Sequence, residues 1–110
     1  MHSSVIAHTL FTEFDIYLFR TGIHYKLFNL FGSHLIELDG KKGCYFAVWA
    51  PSATNVTVMG DFNHWRSSQF KLNPRWDKSG IWEGFIPGVK HGAVYKYNVT
   101  GPNGQVFEKG

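Results

Sequence analysis

The spacing of apolar residues in this chain changes at Gly32. Before it, Leu10, Phe14 and Leu18 recur at the interval that places side chains on one face of a helix. Thr12 stands ahead of this run as a cap, Glu13 and Asp15 fall in the first turn, and Gly22 supplies a stop. A short helix is predicted there. Leu27, Leu30 and Phe31 form a second brief stripe ending at Gly32. Helices this short hold in water only if their rings dock on something. Met1 to Thr9 has no periodicity and is expected to be a frayed leader.

Beyond Gly32 the period is two. Cys44, Phe46 and Val48 share one face of a strand, and Tyr45, Ala47 and Trp49 share the other. Both faces are apolar, so this strand is expected to be covered on both sides. Asn55 to Met59 alternates more cleanly, with Val56 and Val58 inward and Asn55 and Thr57 outward. Ile81 to Ile86 reads as a strand ended by Pro87-Gly88. In Val94 to Thr100, Tyr95, Tyr97 and Val99 point one way and Lys96 and Asn98 the other.

Turn signals fall at Asp39-Gly40, Pro51-Ser52, Asn63-His64, Lys78-Ser79-Gly80, His91-Gly92 and Asn103-Gly104. Short strands broken by such turns predict an all-β fold, an immunoglobulin-like β-sandwich preceded by one or two short N-terminal helices. Residues 1–32 are read as the leader and residues 33–110 as the sandwich.

Composition narrows the function. A chain of 110 residues makes one domain, too small for a catalytic barrel. A net charge of +3, with the Lys and Arg residues scattered, does not make a nucleic-acid patch. No apolar run is long enough to span a bilayer, and the first residues lack the charged start and apolar stretch expected of a signal peptide. Cys44 is the only cysteine, which excludes an internal disulfide and fits a reducing cytoplasm. The histidines lack metal-ligand spacing, no glycine-rich phosphate loop opens a helix, and Glu37, Asp61 and Glu83 fall on separate strands. No metal, cofactor or catalytic group is expected.

Aromatics make up 17% of the chain, and several stand at strand ends and turn tips rather than inside strands. A sugar ring offers a face of C–H groups and a rim of hydroxyls. An indole covers the face at low entropic cost, and amides and ammonium groups serve the rim. Trp65 in Gly60-Asp61-Phe62-Asn63-His64-Trp65 is the leading platform, because the polar run Arg66-Ser67-Ser68-Gln69 follows it. Asn63 and Lys96 are the polar partners. Trp49 and Pro51 end a strand at a sandwich edge and serve either as a docking surface or as a further sugar contact. Trp82 is read as core, and Trp76 lies on a loop with its role open.

These motifs resemble the N-terminal part of bacterial 1,4-α-glucan branching enzymes, in their family-48 carbohydrate-binding module (the isoamylase N-terminal, early-set domain). The resemblance runs through Phe14-Asp15-Ile16-Tyr17-Leu18-Phe19, Tyr45 to Pro51, Gly60 to Trp65, Gly80 to Gly88 and Tyr95-Lys96-Tyr97. It implies a non-catalytic module that binds α-1,4-glucan, such as glycogen or a maltooligosaccharide, through Trp65 and Lys96. It also implies docking on the catalytic barrel of the same parent chain, with Trp49-Ala50-Pro51 at that junction. A second tryptophan of the family would fall near Val106 or Phe107, where this chain departs from the pattern. The competing expectation is a purely structural docking domain with no sugar site.

Overall fold

A computed structural model describes residues 5–22 and 27–110. The helix predicted in the leader is α1, Glu13–Arg20. Thr12 caps it: its hydroxyl accepts from the Asp15 amide, and the Asp15 carboxylate accepts from the Thr12 amide. A short 3-10 turn, Leu27–Leu30, follows. Eight strands come next: β1 Gly32–Leu38, β2 Lys41–Trp49, β3 Asn55–Gly60, β4 Phe70–Lys71, β5 Asn73–Pro74, β6 Ile81–Pro87, β7 Tyr95–Thr100 and β8 Val106–Lys109.

They form two four-stranded sheets, β1-β2-β6-β5 and β4-β3-β7-β8, so the all-β sandwich is as predicted. The Asp39-Gly40 signal closes the β1–β2 hairpin, and both of its residues take positive φ, 51° and 80°. Between the sheets lie Phe46, Val48, Val56, Val58, Leu72, Trp82, Ile86, Tyr97 and Val99. Trp82 is therefore core, as expected. Tyr97 spans the layers, its hydroxyl donating to the Gly32 and Ala47 carbonyls at 3.1 and 3.2 Å.

β2 is covered on both faces, and the leader supplies the second cover. Phe11, Ile16 and Phe19 pack on Tyr45, Ala47 and Ile81, with Leu10, Leu30 and Phe31 around them. Two expectations need correction. The buried face of α1 is Ile16 and Phe19, while Phe14 is 66% exposed. The Phe14 ring is thus turned away from the sheet, while Leu10 and Leu18, the other members of that stripe, stay packed against the Phe11, Ile16 and Phe19 cluster. Nor is the leader frayed from Val5 onward. Ile6 exchanges backbone hydrogen bonds with Phe85 at 2.8 and 2.9 Å, and Val5 packs on the inner core. That pairing gives the edge of β6 the partner it would otherwise lack.

Candidate functional site

Trp65 sits on a turn whose shape is set from within. At Gly60 an added Cβ would lie 2.4 Å from the Val94 carbonyl and 2.5 Å from the Phe62 ring, so only glycine fits. Phe62 turns inward, against Phe46 and Phe70 at 6.2 and 5.8 Å. Asn63 is 4% exposed. Its Oδ1 accepts from the Gly60 amide at 2.9 Å, and its Nδ2 donates to the Val58 and Arg66 carbonyls at 3.2 Å. The carboxamide therefore ties both ends of the turn together. Asn63 is not a rim contact for a ligand, as the sequence had suggested, because its donors are spent on the backbone.

That clamp holds two consecutive residues in the left-handed region, His64 at φ 56° and Trp65 at φ 57°. Each costs about 1–2 kcal/mol for a residue with a Cβ. The Trp65 amide donates to the Gly60 carbonyl at 2.8 Å, and the indole is left 42% exposed. The ring is open to solvent and not sealed in the sandwich.

Lys96 belongs to the same end of the same sheet. Gly60 pairs with Tyr95, and Met59 pairs with Lys96. Alternation turns Tyr95 and Tyr97 toward the core and Lys96 outward, where it is exposed. Its ammonium is 3.3 Å from the Glu108 carboxylate. The outer face continues with Asn98 opposite Thr57 and Thr100 opposite Asn55. The Thr57 hydroxyl and the Asn55 side-chain Oδ1 are buried on this face with no hydrogen-bond partner in the protein. These groups escaped the sequence reading, since an outward threonine and asparagine on a strand look like ordinary surface. Val106 pairs with Thr100 on this face, whereas Phe107 pairs with Val99 on the opposite face and is itself half exposed. The position nearest a second platform is therefore an exposed aliphatic side chain.

Trp49 and Pro51 are elsewhere. They line a cleft of about 330 Å³ with Val99, Gly101 and Phe107, at the Asn55–Thr100 end of the sheet. β3 separates this end from Gly60 by about 17 Å at the usual rise per residue. Trp49 is 47% exposed, donates through Nε1 to the Ser79 carbonyl at 3.1 Å, and meets Phe19 edge-on at 5.6 Å. The register thus puts Lys96 at the strand end from which the Trp65 turn leaves, with Trp49 and Pro51 at the opposite end of the sheet. A cleft of about 540 Å³ bounded by Leu35, Val89 and His91 holds none of these residues.

Beneath the leader is a buried polar network. The Tyr45 hydroxyl donates to Glu83 Oε1 at 2.7 Å, and Arg75 pairs with Glu83 Oε2 at 3.3 Å and with Asp77 Oδ2 at 3.0 Å. Burial, reinforced by the Glu83 carboxylate, pushes the Tyr45 phenol far above its usual range. Partial burial would raise Asp77, but hydrogen bonds from Ser79 and Arg75 outweigh it and hold the carboxyl below its ordinary value. Among the described residues no three His, Cys, Asp or Glu converge on a metal-binding point, and no helix is long and apolar enough to cross a membrane.

Residues 30–109 match the family model for carbohydrate-binding module 48 (isoamylase N-terminal domain). Over 97 residues the chain is 52% identical to a 1,4-alpha-glucan branching enzyme GlgB of Synechococcus sp. (strain JA-2-3B'a(2-13)), covering 88% of this chain and 13% of that protein. The protein of the same name in Thermosynechococcus vestitus is 48% identical over 98 residues, 89% of this chain and 12% of the relative. Its namesake in Aromatoleum aromaticum is 50% identical over 102 residues, 93% of this chain and 15% of the relative. The chain spans between 12% and 15% of the length of these relatives.

Proposed function

The chain belongs to the carbohydrate-binding module 48 (isoamylase N-terminal domain) family, and from that membership we propose that it is a non-catalytic module holding α-1,4-glucan through Trp65 and Lys96. The observation that carries this reading is the turn after β3. An indole 42% exposed is held in a strained, internally clamped turn at the sheet end that presents Lys96. A fold that keeps two left-handed residues and an open indole at one point is spending stability on presentation.

In this assignment Trp65 stacks on a glucose ring and Lys96 donates to its hydroxyls. Asn63 is a positioning residue, acting only through the turn. With Val106 in place of a second ring, binding is weak. Its effect is to raise the local concentration of chains beside a catalytic barrel, as the relatives' name suggests for the parent protein. Residues 1–32 then act as a leader to the module formed by residues 33–110. The single buried cysteine agrees with a place in the cytoplasm, beside stored glucan.

The cleft at Trp49, Pro51 and Phe107 favours a second role, docking on that barrel. An NMR titration with maltoheptaose tests the sugar site. The Trp65 indole and Lys96 signals are expected to shift, and Trp65→Ala is expected to abolish those shifts while leaving the fold intact. A parent spectrum unmoved at Trp65 by millimolar sugar would leave docking alone.

A further inference from the structure

Trp76 is 73% exposed, the most exposed of the large hydrophobic side chains among the described residues. A tryptophan left in water forgoes about 2 kcal/mol of burial, so its fixed presentation needs a physical cause. The loop beneath it is held at every turn. The Arg75 amide donates to the Ile81 carbonyl at 2.9 Å, the Ser79 amide donates to Asp77 Oδ1 at 3.1 Å, and the Arg20 guanidinium reaches the Asp77 carbonyl from α1.

Arg75 supports the ring itself. Its side chain is 2% exposed and fixed by the Asp77 and Glu83 carboxylates and the Thr9 hydroxyl. The guanidinium carbon lies 4.5 Å from the Trp76 ring centroid. One indole face is thereby pinned to an immobile cation, and the other is left for a ligand.

The surroundings of that open ring are specific. A cleft of about 450 Å³ lies between Trp76 and Tyr17, with Glu13, Arg20, Thr21 and Asp77 around it. Tyr17 is itself exposed, stacked on Phe14 at 6.3 Å. Two aromatic surfaces flank the cleft, and its rim carries carboxylates, a guanidinium and a hydroxyl. A hexose presents an apolar face to rings and hydroxyls that both donate and accept, so one ligand satisfies both kinds of wall. A polyanion is disfavoured by Glu13 and Asp77.

We propose that Trp76 and Tyr17 form a second α-glucan-binding surface, on the leader side of the sandwich and separate from Trp65. The ligand class rests on the function proposed above; the site does not share its residues. Trp76 hangs from the β1-β2-β6-β5 sheet and Trp65 from the other, so a branched glucan can be held at two points at once. Two weak contacts on one rigid body raise the apparent affinity for a polymer well above that for a short chain.

The test is an NMR titration of the whole chain with maltoheptaose, in the parent and in Trp65→Ala, Trp76→Ala and Trp76→Phe, with electrophoretic retardation in gels containing glycogen. The Trp76 indole signal is expected to shift with its own saturation curve and to keep shifting in Trp65→Ala. Trp76→Ala should lose that set of shifts alone and cut retardation in glycogen about tenfold or more. Trp76→Phe should keep a reduced part of it. A Trp76 signal that stays still while Trp65 shifts overturns this inference and leaves the Trp65 site standing. Shifts at Trp76 without shifts at Trp65 sustain it and overturn the Trp65 assignment. Silence at both overturns both.

Discussion

The Lys96 ammonium lies 3.3 Å from the Glu108 carboxylate, diagonally across the β7–β8 ladder in which Glu108 faces Asn98. Both side chains are more than half exposed, so the pair adds little to stability and is screened by salt. Its consequence is for binding: a glucan hydroxyl must share the ammonium with a carboxylate already there. Glu108→Gln is expected to leave the urea midpoint unchanged and to tighten maltoheptaose binding about two- to threefold, since the lost contact is worth well under 1 kcal/mol. Lys96→Ala should weaken binding in the same titration. Equal affinity for parent and Glu108→Gln would show that the ion pair does not compete.

Asn63 and Trp65 should separate stability from binding. Asn63→Ala removes three hydrogen bonds to buried or half-buried backbone and is expected to cost about 1–3 kcal/mol in urea unfolding. It should also weaken sugar binding by freeing the turn. Trp65→Ala should abolish binding at the Lys96 end of the sheet, leaving the Trp76 response in place, with a stability change near zero. If Asn63→Ala bound sugar as the parent does, the clamp would have no part in presenting the ring.

Much of the sandwich was legible because strand alternation is a local signal. β2, β3, β6 and β7 follow from which residues are apolar, and the double cover on β2 follows from rings on both of its faces. The leader was harder to read. Residues 5–9 carry no periodicity because Ile6 is fixed by backbone bonds to Phe85, while Val5 and Thr9 make isolated side-chain contacts that repeat at no interval. Phe14 misled because spacing shows that a stripe is apolar but not that every member of it meets the sheet. Around the site, the exposure of Trp65 could be inferred from the polar run after it. The burial of Asn63 could not, since an asparagine in a polar turn looks the same whether its amide faces water or its own backbone. The Arg75–Glu83 pair joins a loop to a strand and follows no period at all.

Alkaline pH should unlock the buried tyrosines. Burial comes first among the causes that raise Tyr45 and Tyr97 in the folded chain, with the Glu83 carboxylate adding to it at Tyr45 and Tyr95 at Tyr97. Both phenols are therefore protonated in the fold at a pH where the unfolded chain ionises, about pH 10. Their contribution to stability is whole below that value and falls as pH rises above it. The urea midpoint should decline from about pH 10 upward, and Tyr45→Phe should show a shallower decline from a lower starting point. An identical slope in the two proteins would mean that Tyr45 ionises freely in the fold.

The packing of the leader makes the sharpest contrast available within one helix. Phe19 is buried against the outer face of β2 and β6, near Tyr45 and Ile81, and touches Trp49 edge-on. Phe14, five residues earlier, is 66% exposed. Truncating a buried phenylalanine costs about 3–5 kcal/mol, and truncating an exposed one is close to neutral. Phe19→Ala is therefore expected to lower the urea midpoint sharply and to loosen the Trp49 indole, visible as a red shift in tryptophan emission. Phe14→Ala should do neither. The loss in Phe19→Ala should also reach Arg20, whose guanidinium holds the Asp77 carbonyl from the next position on α1. Trp76 should then become more mobile. Equal effects of the two truncations would mean that Phe14 contributes as much packing as Phe19.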